Sequence, residues 1–248
     1  MYNNTVSTVA DNKFFNSLKT LVASLHRYDV KFLDQIFIYD LGLSQKQLQE
    51  ISQWNKCSIL NFPDTIDKDP TNRAYKCYIR WHAKKHSLNN LYLDAGVMSL
   101  QSIKSIFEII QKEDIFLVGD KHINNDYTHD ACKNIMQATK KELDDKQLSS
   151  GVFGYKIGGK YQNMVEAAWI FAQDKQCILG NEQNHRHDQS ILSILASRYG
   201  CKKYDIDKYG YWTDRNRNLS TAIENNSIIF VHRNGHWDFN GLQGKHNA

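Results

Sequence analysis

The chain has 248 residues, of which 41% are hydrophobic and 23% charged, with a formal net charge of +4. That length and balance suit a folded globular protein and exclude disorder, and a mild charge without any recognition motif gives no support to DNA or RNA binding. No apolar run approaches the roughly 20 residues of a membrane span, and the opening "MYNNTVSTVADNKFF" lacks the basic and apolar regions of a signal peptide.

The predicted elements alternate from the start. "TVSTVAD" (5–11) is a β-branched strand ending in a carboxylate, and "KFFNSLKTLVASLHRY" (13–28) spaces Phe14, Leu18, Leu21, Val22 and Leu25 as a helix. "QIFIYDLGL" (35–43) reads as a buried strand, followed by a helix opened by Ser44 as N-cap. "CSILNF" (57–62) is a third strand, 72–87 a helix, and "NLYLDAGV" a fourth strand. A helix at about 100–111 and the strand "DIFLVGD" (114–120) come next. Strand 147–159, helices 161–174 and 187–200, and strand "SIIFVH" (227–232) complete the series.

Strands separated by helices predict an α/β fold: a mostly parallel central sheet with helices on both faces. With two prolines and no Pro-, Gly- or Ser-rich linker, residues 1–248 are expected to form a single domain. The five cysteines are scattered without a C-x-x-C, which favours reduced thiols and a cytoplasmic setting.

In such sheets ligands sit at the carboxyl ends of the strands, so Asp11, Asp40, Asp94, Asp120 and His232 are the site candidates. Asp11 with Phe14 one helical turn on offers a carboxylate for a base edge and a ring for its face; a helix cap and a core aromatic explain the same pair. Asp94 ends an apolar strand beside Ala95 and Gly96, whose small size lets a ligand approach the backbone. "HRHDQSIL" (185–192) places Asp188 and Gln189 in a helix's first turn, where polar ligands are favoured and N-caps are also common.

These segments, "TVADNKF…SLKTLVASL", "YKCYIRWHAKKHSLNNLYLDAGV", "SSGVFGY", "HDQSIL" and "VHRNG", resemble in order and spacing the GT-A-fold nucleotide-sugar glycosyltransferases, family-8-like enzymes in particular, over most of residues 5–236. The resemblance implies a Rossmann-like nucleotide-diphospho-sugar transferase fold. It implies that Ala10, Asp11 and Phe14 bind the nucleotide base, and that Lys76, with Arg73 and Arg80 as neighbours, helps hold the donor. Ser149, Ser150 and Gly151 would lie beside the donor sugar, and Asp188 and Gln189 near its anomeric carbon. His232, in an H-x-x-G setting with Gly235, would be a metal ligand together with Asp94.

The chain departs from that pattern at the D-x-D motif, which reads Asp94-Ala95-Gly96 and lacks the second carboxylate. A Mn²⁺ or Mg²⁺ cofactor is therefore expected only if Asp94 and His232 suffice or Asp120 or His236 supplies the lost ligand. Otherwise Lys and Arg side chains neutralise the diphosphate. The implied reaction moves a sugar, most simply from a UDP-sugar, to an acceptor hydroxyl on a glycan, with the Asp-Gln pair tilting the reading toward retention of configuration. The rival readings are a non-catalytic nucleotide-sugar or glycan binder of the same fold, favoured by Gly96, and a His-rich metallohydrolase. For the latter, His82/His86, His185/His187 and His232/His236 are spaced as pairs, but "HAKKH" lacks the Glu of H-E-x-x-H. The loops 120–130 and 204–218 are the candidate acceptor surfaces; the aromatic residues of the second suit sugar faces or packing on the core.

Overall fold

The computed structural model describes residues 1–181, 183–212, 218–233 and 238–245. In chain order its first half runs β1 (Tyr2–Ala10), α1 (Phe15–Asp29), β2 (Gln35–Asp40), α2 (Gln45–Ser52), β3 (Cys57–Asn61), α3 (Ala74–His82), β4 (Ser87–Leu93) and β5 (Val97–Ser99). Then come α4 (Lys104–Glu113), β6 (Ile115–Ile123), α5 (Asp130–Ile135), α6 (Lys140–Asp144), β7 (Lys146–Lys156), α7 (Gln162–Ala172) and α8 (Lys175–Ile178). The chain continues through α9 (Asp188–Arg198), α10 (Ile206–Tyr209), β8 (Tyr211–Trp212), α11 (Leu219–Glu224) and β9 (Ile229–Val231). The helix expected over 72–87 ends at His82, passes into a 3₁₀ turn at Ala83–Lys85 and gives way to β4 at Ser87.

Six strands form the central sheet in the order β3-β2-β1-β4-β7-β6. The neighbours β3, β2, β1 and β4 pair in parallel, whereas β7 is antiparallel to both β4 and β6. The sheet is thus mostly parallel, with β7 as the reversed strand. Side chains alternate across it with a period of two, and that alternation builds two cores. Phe37, Tyr39, Tyr92, Phe153 and Tyr155 pack with residues of α3, α7 and α9 on one face. Ile36, Ile38, Leu91, Leu93 and Phe116 pack with α1 and α4 on the other. Both faces are covered, which is why these strands read as near-continuous apolar runs.

Local chemistry sets the helix starts. Ser44 caps α2 in a reciprocal capping box: its Oγ accepts from Gln47 N while its own N–H donates to Gln47 Oε1 at 2.8 Å, an arrangement worth about 1 kcal/mol. Asp11 Oδ1 accepts from Phe14 N at 2.9 Å and closes the turn leading into α1. Asp40 Oδ1 accepts from the N–H groups of Gly42 and Leu43, so this strand-end carboxylate organises a turn.

A second, three-stranded sheet in the order β5-β9-β8 sits beyond the end of β4. β9 runs antiparallel to β5, with Val97 opposite Val231, and β8 pairs parallel to β9. His232 therefore follows a strand of this small sheet, not of the central one. No helix among the described residues is long and apolar enough to cross a membrane.

Candidate active site

The chain proceeds from β1 outward to β2 and β3, then returns to place β4 on the other side of β1. That reversal opens a crevice at the carboxyl ends of β1 and β4, the usual ligand position in a sheet of this kind. A cavity of about 500 Å³ lies there, within the roughly 300–1,000 Å³ of small-molecule sites. It is lined by Ala10, Asp11 and Phe14 after β1, by Asp94, Ala95 and Gly96 after β4, and by Arg73 and Lys76 at the start of α3. Ser149, Ser150 and Gly151 of β7 and Gln189 of α9 complete the set expected from the sequence. The reversed β7 makes this possible: its first half enters at the end where β4 leaves, and Asp94 N donates to Gly151 O at 2.9 Å.

Lys76 and Arg80, four apart, share one face of α3, and Arg73 is the residue just before the helix. Lys76 Nζ donates to both oxygens of Asp94, at 2.7 and 2.9 Å, and the Tyr92 hydroxyl donates to Oδ1 at 2.6 Å. Burial pushes the Asp94 carboxyl up, but the Lys76 charge, its hydrogen bond and that from Tyr92 outweigh burial and hold the carboxyl below its usual range. One step deeper, Arg80 is 1% exposed. Its guanidinium donates to Asp188 Oδ2 at 3.1 Å and to Ser150 O, and lies 4.3 Å from the centre of the Tyr92 ring.

Two expected site residues stand apart from the cavity. Asp188 is fully buried and does not line it; its carboxylate faces Arg80, and through Arg80 it reaches Ser150. Its neighbour Gln189 does line the cavity, donating to Gln147 Oε1 at 3.0 Å. His232 is 2% exposed and likewise outside the lining, whereas Val231 and Arg233 on either side belong to it. β9 ends at Val231, and the left-handed turn at Arg233 returns the chain to the cavity wall after the inward-facing His232.

Three lining residues, Arg186, Arg233 and Tyr75, carry chemistry not assigned to them from sequence. Arg186 donates to Asp120 Oδ2 and Gln147 Oε1, both at 3.1 Å, with its guanidinium 3.7 Å above the Tyr127 ring. Arg233 holds a left-handed backbone at φ 60° and lies 5.5 Å from the Trp212 ring. Tyr75 and Trp212 add aromatic surface. Arg186 and Arg233 were visible inside "HRHDQ" and "VHRNG", but only the fold turns them toward the same space. Of the two acceptor-loop candidates, 120–130 contributes Asp120 and 204–218 contributes Ile206 and Trp212; residues 213–217 lie outside the described residues, as do Gly235 and His236.

The divalent cation implied by the resemblance does not fit the residues present. A Cβ on Gly96 would stand 2.3 Å from the Arg233 carbonyl oxygen and 2.8 Å from its Cα, so that position has no room for a second carboxylate. Asp94 is already engaged by an ammonium and a hydroxyl. Asp120, proposed as a substitute ligand, is paired with Arg186. Among the described residues no group of three or more His, Cys, Asp or Glu side chains is arranged to hold a metal. The described histidines of the metallohydrolase reading belong to no such group. Instead His82 packs on Tyr78 and bonds the Tyr39 hydroxyl, and His185 and His187 are buried in the protein rather than exposed on its surface.

No protein-family model matches the sequence, and no curated protein matches it. Solved structures do. The bifunctional glycosyltransferase WbbM superposes with a TM-score of 0.63 at 9% identity, over 95% of this chain and 46% of WbbM; the chain thus spans about half of that protein. The galactosyltransferase LgtC, solved with donor and acceptor sugar analogues, gives 0.58 at 11% identity, over 94% of this chain and 88% of its own. Mouse xyloside xylosyltransferase 1 gives 0.52 at 11% identity, over 94% and 97%. The chain has the GT-A fold of these glycosyltransferases.

Proposed function

We propose that the protein is a glycosyltransferase that moves a sugar from a nucleotide-sugar donor, a UDP-sugar in the simplest case, to a hydroxyl of a glycan acceptor. The observation that carries this reading is the cavity itself. In a GT-A fold it gathers an aromatic ring and a carboxylate after β1, a row of cations on α3, and a small-residue strand with a side-chain amide. Phe14 suits a base face and Asp11 a base or ribose donor. Arg73 and Lys76 suit a diphosphate. The Ser149–Gly151 strand packs closely on Asp94, where a Cβ at Gly151 would stand 3.0 Å from Asp94 Oδ2, and the small side chains of Ser149 and Ser150 suit a sugar beside them.

In the transfer, the anomeric C–O bond breaks with its electron pair leaving on the diphosphate, and the acceptor oxygen forms the new bond as its proton departs. The dominant electrostatic demand is the charge on the leaving diphosphate. Retention of configuration is the stereochemistry we favour. Each lining carboxylate already accepts a hydrogen bond, Asp11 from Phe14 N, Asp94 from Lys76 and Tyr92, and Asp120 from Arg186. Asp94 and Asp120 are moreover paired with cations, Lys76 and Arg186, which makes them poor general bases for inversion, whereas Gln189 offers a neutral amide dipole to an oxocarbenium-like centre. Asp188 acts from behind, orienting Arg80 and through it the Ser150 backbone.

The test is a donor-hydrolysis screen across UDP-, GDP- and CMP-sugars, paired with thermal-shift measurements. Release of nucleotide from a UDP-sugar, abolished in Gln189→Ala, is expected. Absence of both hydrolysis and stabilisation with every donor would refute the proposal.

A further inference from the structure

We infer that the donor diphosphate is held by fixed cations of the chain, Lys76, Arg73 and Arg233, in the place where a divalent metal would otherwise bridge protein and phosphate. This deepens the nucleotide-sugar reading and rests on it.

The argument starts at position 96. Past Val97 and Val231 the register of β5 with β9 shifts by one residue, and Arg233 N donates to Gly96 O at 2.9 Å. The Arg233 backbone thereby fills the volume into which any side chain at 96 would project. The same contact that removes a carboxylate delivers a guanidinium to the cavity wall. Arg233 holds this course at φ 60°, and Arg73 stands at φ 58°. Left-handed backbone at a non-glycine residue costs about 1 kcal/mol or more and persists where surrounding structure enforces it. Of the seven non-glycine residues with positive φ among the described residues, these two place a cation on the cavity.

Lys76 supplies the second line of argument. Its ammonium contacts both Asp94 oxygens, the position a D-x-D-bound ion would occupy. A divalent ion bound to Asp94 would have to expel that ammonium or lie beside it, with like charges a few ångströms apart. With Arg73, Lys76, Arg186 and Arg233 facing Asp11, Asp94 and Asp120 among the described lining residues, the wall carries an excess of positive charge before any ion is added. Guanidinium groups match phosphate oxygens in bidentate geometry. No proton or electron passes to these cations: the electron pair of the broken C–O bond stays on the diphosphate oxygen, and the cations stabilise the added negative charge electrostatically.

Isothermal titration calorimetry of the whole chain with UDP, GDP and CDP, each in EDTA and in Mn²⁺, tests this directly. One diphosphate is expected to bind in EDTA with an affinity that Mn²⁺ changes by less than about tenfold. Arg233→Ala, at an exposed side chain, should weaken that metal-free binding roughly 10- to 100-fold with no change in melting temperature. Gly96→Asp should lower the melting temperature without creating Mn²⁺ affinity, read by electron paramagnetic resonance of Mn²⁺ alone. Binding that appears only with Mn²⁺, or an Arg233→Ala variant that binds as wild type, would overturn the inference and leave the donor-site reading standing. No binding of any diphosphate in either buffer would overturn both.

Discussion

Replacing Asp188 by Asn removes one charge and keeps the side chain's shape. Asp188 and Arg80 each have side chains 1% exposed, joined at 3.1 Å. The guanidinium left behind would retain Ser150 O and the Tyr92 ring but lose its only buried counter-ion among the described contacts. Removing one member of a buried pair costs about 3–5 kcal/mol, because the remaining charge is desolvated without compensation. At about 2–4 °C per kcal/mol for a chain of this size, the melting temperature should fall by roughly 6–20 °C. Urea denaturation and thermal melting of D188N measure it, with R80M/D188L as the companion. An apolar pair of similar volume should recover much of the loss. Turnover should fall in D188N because the guanidinium on Ser150 O loses its anchor, and further in R80M/D188L, where nothing of Arg80 remains to hold Ser150. If D188N melts like wild type while turnover vanishes, Asp188 acts on the substrate itself and its placement behind Arg80 is irrelevant to its role.

Two further outcomes follow from the same geometry. Phe14→Ala removes the ring from the cavity wall; loss of base stacking, worth about 1–3 kcal/mol, should raise the Kd for a nucleoside diphosphate roughly 5- to 150-fold, and an unchanged Kd would place the base elsewhere. His185 is held neutral, its pKa pushed down to about 3 by burial and by the neighbouring His129 and His187. The unfolded chain takes up a proton below about pH 6.5 while the folded chain resists, so this stability is fully present above that pH and declines as pH falls toward 3. By pH 5 the loss from His185 alone should reach about 2 kcal/mol in urea unfolding, and His185→Gln should flatten that slope; an unaltered slope would assign the acid lability to other groups. His26, His82 and His86 are shifted in the same direction.

Much of the fold was legible because its determinants are local. Periodicity marked the strands and helices, and Ser44 marked the start of α2. The strand-end rule pointed to Asp11 and Asp94, and the family resemblance pointed to Lys76. For Asp11 and Phe14 the cap and the site are one arrangement: the carboxylate closes the turn and both residues still line the cavity. What was not legible depends on pairings between distant segments. Period-two alternation carries no strand direction, so nothing in "SSGVFGY" announces that β7 runs backwards. The burial of Asp188 requires Arg80, more than a hundred residues earlier. Gly96 reads as a missing ligand until Arg233 is seen lying against it.

That last contact orders events during synthesis. β5 has no partner until β9 exists, and Val97 must wait for Val231. The strands and helices carrying Phe14, Lys76, Asp94 and Gln189 all precede this segment, and domains tend to organise from the N-terminus as the chain emerges. The rim of the cavity formed by Val231 and Arg233 is therefore the last described part of its lining to be translated, and Gly96 stays uncovered until Arg233 arrives.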